Sequence, residues 1–219
     1  MTEKHIYNSV NNDMGKHADS IDSKILQRTQ EKGAGHVFTP VDFLDLGSRN
    51  AVDLALSRQA RSGSIRKLAR GLYDLPRPRA RFGHLPPGID DVAVALKGRD
   101  QSRLQPAGAH AANVLGLSTQ VPVRIVFLTD GRSRRVHLGK QQIVLKHTTP
   151  RQMATAGRIS GTVIQALRWL GKRNVDERVL SGLRRRLSNA DKQQLRADIR
   201  YAPAWIADII RSVTRSPRT

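Results

Sequence analysis

The chain has 219 residues; 38 are Lys or Arg, 18 are Asp or Glu, and none is Cys, for a formal charge of +20 at pH 7. Such an excess of cations favours a polyanionic partner, because Lys and Arg displace the counterions condensed on phosphate. The lack of thiols excludes disulfides, thiolate zinc sites and cysteine nucleophiles.

Residues 1–17 are rich in Asn, His and Lys and show no period, which predicts a flexible tail. They contain no apolar run of the kind a signal peptide needs. The longest apolar stretch, 121–128, is broken by Pro122 and Arg124 and is far too short to span a bilayer. A cytoplasmic protein with no membrane partner is expected.

A first helix is predicted over 20–29, with Ile21, Ile25 and Leu26 on one face, ended by Gly33 and Gly35. Val37-Phe38 follows as a very short strand or an apolar anchor. Thr39-Pro40-Val41-Asp42 opens a second, short helix that ends near Gly47, with Thr39 as cap, Pro40 in the first turn and Asp42 at the positive helix end. Ser48 caps a third helix over 49–61. At 100° per residue, Val52, Ala55, Leu56 and Gln59 share one face, while Asn50, Asp53, Ser57 and Arg61 lie on the opposite one. Gly63 stops this helix. Residues 65–68 and 72–75 then alternate as two strands around an Ala69-Arg70-Gly71 turn.

Pro76, Pro78, Pro86 and Pro87, with Gly83 and Gly88, rule out a continuing helix or inner strand. They predict a linker over 77–89, between a module at 18–76 and a second one at 90–219. The second module reads as mixed: helices at 89–97 and 107–115, strands at 121–128 and 142–146 with a turn at Thr129-Asp130-Gly131, and a helix at 161–170 stopped by Gly171. Two apolar helical faces follow: Val179, Leu180, Leu183 and Leu187, then Trp205, Ile206, Ile209 and Ile210. The expected fold class is α+β.

Helix, helix, tight turn, helix and two-stranded hairpin, in that order, is the plan of a winged helix-turn-helix, in which the third helix enters the major groove and the hairpin touches the backbone or minor groove. The residues suit it. Asn50 has the amide that pairs with adenine, and Arg49 or Arg61 the fork that pairs with guanine. Ser57 shares the exposed face. Arg66, Lys67 and Arg70 bring cations to the hairpin, and Ser48 sits where helix N–H groups meet a phosphate. Asp53 repels phosphate unless it accepts from a cytosine amine or orients Arg49. Leu54 is apolar on the outer side of the same helix.

The run from Val37 to Ser48, continuing through Ala51-Val52-Asp53 and Ala55-Leu56-Ser57-Arg58 to Gly63-Ser64-Ile65-Arg66-Lys67-Leu68-Ala69-Arg70-Gly71-Leu72-Tyr73, resembles the AbiEi-type antitoxin winged helix. The similarity continues in Leu104-Gln105-Pro106-Ala107-Gly108, in the run from Ala112 to Pro122 and in Phe127-Leu128-Thr129-Asp130-Gly131, covering about residues 20–170. The resemblance implies the antitoxin of a type IV toxin–antitoxin pair. Such a protein represses its own promoter by binding inverted repeats and opposes a nucleotidyltransferase-like toxin. It implies DNA contacts at Ser48, Arg49, Asn50, Arg58, Arg66, Lys67 and Arg70. A stand-alone regulator with no toxin is a further form of the same reading.

Enzyme motifs are absent: no Gly-x-x-x-x-Gly-Lys-Ser/Thr, Gly-x-Gly-x-x-Gly or Gly-x-Ser-x-Gly occurs. Asp90-Asp91 reads as an acidic first helical turn, and none of the seven His is spaced as i, i+4 metal ligands. Asp130-Gly131 needs only a hairpin turn to explain it. No catalytic residue, metal or cofactor is expected. Two alternatives remain: a nucleic-acid binder without sequence preference, carried by Arg178, Arg184, Arg185, Arg186, Arg196 and Arg200, and a homodimer or toxin interface carried by the Trp205 stripe.

Overall fold

The computed structural model describes residues 20–79, 83–98 and 102–215; the tail expected at 1–17 lies outside them. The protein is mixed α+β and falls into two compact units, residues 1–99 and 100–219.

In the first unit, α1 (Ile21–Lys32) starts at Ser20, whose hydroxyl accepts from the Ser23 amide at 3.2 Å. Strand β1 (Val37–Phe38) follows. Thr39-Pro40 then opens only a four-residue 3-10 turn, Pro40–Phe43, where a helix reaching Gly47 was expected. The Asp42 carboxylate folds back to accept from the Thr39 amide (2.8 Å) and hydroxyl (3.0 Å), and Phe43 is buried, so the turn is spent on capping and anchoring. Helix α2 (Arg49–Ser62) is the best-predicted element. Ser48 caps it, Gly63 closes it in the left-handed region, and Val52, Ala55, Leu56 and Gln59 are the buried residues. Burying Val52 and Leu56 completely contributes about 1.5–3 kcal/mol each.

The hairpin follows as β2 (Arg66–Ala69) and β3 (Leu72–Asp74). Gly71, at φ 69°, supplies the positive φ of its turn. The three strands form an antiparallel sheet in the order β1-β3-β2, with Phe38 opposite Tyr73 and Val37 opposite Asp74. Phe38 sits edge-on to Phe43 at 5.5 Å and stacks on Tyr73 at 6.1 Å. Around them Ile25, Val52, Leu56 and Ile65 complete the core.

The segment predicted as a linker contains a small antiparallel pair, β4 (Pro78–Arg79) with β5 (Gly83–His84). Helix α3 (Ile89–Lys97) packs on β1. The division between the units therefore falls after residue 99 instead of across 77–89. Pro and Gly stop regular structure, but they do not say which core the next helix joins.

The second unit holds a four-stranded sheet of β6 (Leu104–Ala107), β7 (Arg124–Thr129), β8 (Arg134–Leu138) and β9 (Gln141–His147), in the order β6-β7-β9-β8. The β7–β9 pair is parallel and the two outer pairs are antiparallel. Strands β6 and β8 were not predicted; Pro106 sits on an edge strand, where a missing amide is tolerated. Helix α4 (Gly108–Val114) lies between β6 and β7; after β9 comes the short α5 (Pro150–Met153), whose Met153 packs with Ala107 and Leu128. Then follow the helices that build the second core together with α4: α6 (Ile159–Leu170), α7 (Glu177–Arg186), α8 (Asn189–Ala197) and α9 (Ala204–Thr214). Their shared core includes Ala111, Ile164, Leu167, Leu183, Leu195, Ile206 and Ile210. Trp205 and Ile209 pack against it, so the stripe considered as an interface closes this core. Among the described residues no helix is long and apolar enough to cross a membrane.

Candidate nucleic-acid interface

Helix α2 buries one face and exposes the other, which leaves Asn50, Leu54, Ser57 and Arg61 as a stripe at i, i+4, i+7 and i+11. Asn50 and Arg61 are exposed, Ser57 is half-buried, and Leu54 is 58% exposed. Among the described residues the Arg61 guanidinium bonds the Ser57 carbonyl alone, at 3.4 Å, leaving most of its donors open there. At the helix start the Ser48 hydroxyl accepts from the Ala51 amide at 3.3 Å. Such a cap is worth about 1 kcal/mol, and it commits Ser48's side chain to the helix.

Arg49 donates to Asp53 at 2.8 Å, one turn on. Of the roles open to Asp53, orienting Arg49 is the one the geometry contains. Both side chains are about half exposed, so the pair holds the guanidinium loosely, by about 0–1 kcal/mol. The same two charges reach the buried Tyr73: burial pushes its phenol above the usual value, the Asp53 carboxylate adds to this, and Arg49 opposes it.

Two of the expected contact residues have other work. Arg58 grips Asp22 with two bonds, of 3.0 and 2.5 Å, which raises its pKa and ties α2 to α1. Gln59 adds a bond from its amide nitrogen to the Asp22 carbonyl. Arg66 lies opposite Asp74 in the β2–β3 register and grips that fully buried carboxylate at 3.0 and 2.5 Å, with a third bond to the Leu85 carbonyl at 2.9 Å. Three of its five N–H donors are thus used inside the fold, and the side chain is 28% exposed. Lys67 and Arg70 are exposed, one on β2 and one at the turn.

The site thus consists of the Asn50–Leu54–Ser57–Arg61 stripe, the loosely held Arg49, and the hairpin cations Lys67 and Arg70, all in one unit. Such an arrangement offers amide and guanidinium donors to a grooved, anionic surface.

The cationic run at 178–200 has a different outcome. Arg184 pairs with Glu177 at 2.5 Å and reaches the Ser212 hydroxyl. Arg196 bonds the Thr214 carbonyl, and Arg200 lies over the Tyr201 ring at 5.0 Å. Half of the cluster therefore serves the helical core's own surface. Asp130, in the turn after β7, accepts from the Arg103 amide at 2.7 Å and from its side chain at 2.9 Å. The backbone donor above all holds its pKa below the ordinary value.

An α+β protein with an exposed polar helix face and a cationic hairpin on its N-terminal unit is the class these features define. The chain belongs to the family of unknown function DUF6088, whose profile matches residues 24–195. No curated protein and no solved structure matches it.

Proposed function

We propose that the N-terminal unit is a winged helix-turn-helix and that the protein is a sequence-specific duplex-DNA-binding repressor acting without catalysis. The observation that carries this reading is the α2 stripe of Asn50, Leu54, Ser57 and Arg61, exposed on the helix that leads directly into a hairpin bearing Lys67 and Arg70. In this reading α2 lies in the major groove. Asn50 and Arg61 read base edges, Leu54 meets a thymine methyl, and Arg49 turns from Asp53 to a base or phosphate. The hairpin cations contact the backbone and set register without reading sequence. Arg58 and Arg66 hold the interface in shape. The resemblance to AbiEi-type antitoxins supports the same assignment, and extends it to repression of the chain's own promoter and to a nucleotidyltransferase-like toxin as second partner.

The test is an anisotropy titration against the duplex upstream of the chain's own reading frame and against a scrambled duplex. Wild type is expected to prefer the upstream duplex. Asn50→Ala and Arg61→Ala each cost that duplex about 1–3 kcal/mol and narrow the preference. Lys67→Ala and Arg70→Ala weaken both duplexes alike. Equal affinity of wild type for the two duplexes would sink the reading.

A further inference from the structure

The net charge is unevenly shared. Residues 100–219 carry 22 Lys and Arg against 7 Asp and Glu, a formal +15 of the chain's +20. The interface described above accounts for none of it.

Part of that surplus collects on one side of the second unit's sheet. Residues 124, 126 and 128 of β7 share a face. The parallel register aligns them with 142, 144 and 146 of β9, and the antiparallel register sets Arg135 of β8 opposite Val144. Arg124, Arg135 and Lys146 thus stand on the same face on three adjacent strands, spread over about 13 Å along the strands. All three are exposed, and with Arg134 they rim a shallow depression of about 450 Å³ whose lining includes Val144. The single acid between residues 124 and 149 is Asp130, already held by Arg103. Among the described residues no carboxylate pairs with Arg124, Arg134, Arg135 or Lys146.

Four uncompensated cations around one depression repel each other in the free protein, and that repulsion is relieved by a polyanion. A second copy of the chain is the wrong occupant. Strand β8 is the sheet edge, and Arg134 and Arg135 there set like charges against any partner β8. A single strand read by stacking is wrong as well. The one Phe, Tyr or Trp between 124 and 149 is Phe127, which is buried. The exposed ring on the face is the His137 imidazole, hydrogen-bonded to the Gln142 amide at 3.1 Å, and one tethered ring is no platform for successive bases.

We propose that this sheet face is a second phosphate-binding surface, which grips the backbone of duplex DNA independently of sequence while the N-terminal unit reads it. The inference rests on the DNA-binding reading for its choice of polyanion, and it assigns the surplus charge to affinity instead of specificity.

The experiment compares the full-length protein with Arg124→Ala/Arg135→Ala/Lys146→Ala and with the single reversal Arg135→Glu. Binding of a scrambled duplex is followed from 50 to 300 mM NaCl, with circular dichroism to verify folding. Each phosphate contact contributes a slope of about 0.9 in log K against log salt, so the triple variant should lose about 2–3 units of slope. Its preference for the upstream duplex should remain. Arg135→Glu should weaken both duplexes by a similar factor. Unchanged slope and affinity in both folded variants would overturn the proposal, as would tighter wild-type binding to poly-glutamate than to duplex, which would mark an acidic protein as the occupant. The two readings fail separately. A wild type without sequence preference, whose slope still falls in the triple variant, removes only the specific repressor; an intact preference with an unchanged slope removes only the sheet surface.

Discussion

Asp74 is a carboxylate among Leu72, Tyr73 and Leu75, an odd neighbour for three apolar side chains unless a cation comes with it. Strand pairing brings Arg66 opposite, and the pair then welds β2 to β3 while the Leu85 carbonyl takes a third donor. Removing one partner leaves a buried charge, so Asp74→Leu should lower stability by about 3 kcal/mol in urea unfolding, the low end for a buried pair because Arg66 is partly solvated. The double variant Arg66→Met/Asp74→Leu should cost less than Asp74→Leu alone. Simple additivity of the two changes would show that the pair is not coupled. At the same scale, Asp198 is buried and accepts from Arg158, Ser160 and Gln194, joining the start of α6 to the end of α8. The sequence signal for Arg66 was present: an acid inside an apolar strand asks for a partner at the cross-strand position. Reading every hairpin cation as a phosphate contact overlooked it.

Among elements, legibility followed the completeness of local signals. Helix α2 has a serine cap, a clean apolar face and a glycine stop, and all three are local in sequence; its buried residues were the ones expected. Helix α3 was legible for similar reasons, with Asp90 and Asp91 in its first turn. Strands β6 and β8 escaped because an edge strand of four or five residues, one containing Pro106 and the other Arg134 and Arg135, has too few apolar positions to show a period. The contact between β6 and α6 is the tightest test of this layer. A methyl on Gly161 would lie 2.5 Å from the Thr155 carbonyl, and closer still to the Gln105 side chain, which is fully buried and donates to Thr162 at 3.2 Å. Gly161→Ala should therefore cost about 1–3 kcal/mol by overpacking, against the stabilisation that alanine brings to an open helix. A raised melting temperature would mean that α6 is free to move away from β6.

For the molecule as a whole, charge is the governing quantity. A surface at +20 repels itself, and most of the surplus lies in the second unit, where the described ion pairs are only Arg103–Asp130, Arg158–Asp198, Arg184–Glu177 and Arg211–Asp208. Screening should then stabilise the free protein: raising NaCl from 10 to 200 mM is expected to lift the melting temperature by a few degrees. A fall over the same range would mean that the ion pairs outweigh the repulsion.

By itself the sequence determined what depends on neighbours along the chain: the α+β class, the caps and stops of α2, its buried and exposed faces, and the cationic excess. Each follows from a period, a capping residue or a composition that survives any rearrangement in space. Only the tertiary structure decided which cations are spent and which remain available. It paired Arg66 with Asp74 and Arg58 with Asp22, gathered Arg124, Arg135 and Lys146 from three strands onto one face, and gave α3 to the first unit. Those outcomes are set by strand register and packing between residues far apart in sequence, and no local pattern encodes them.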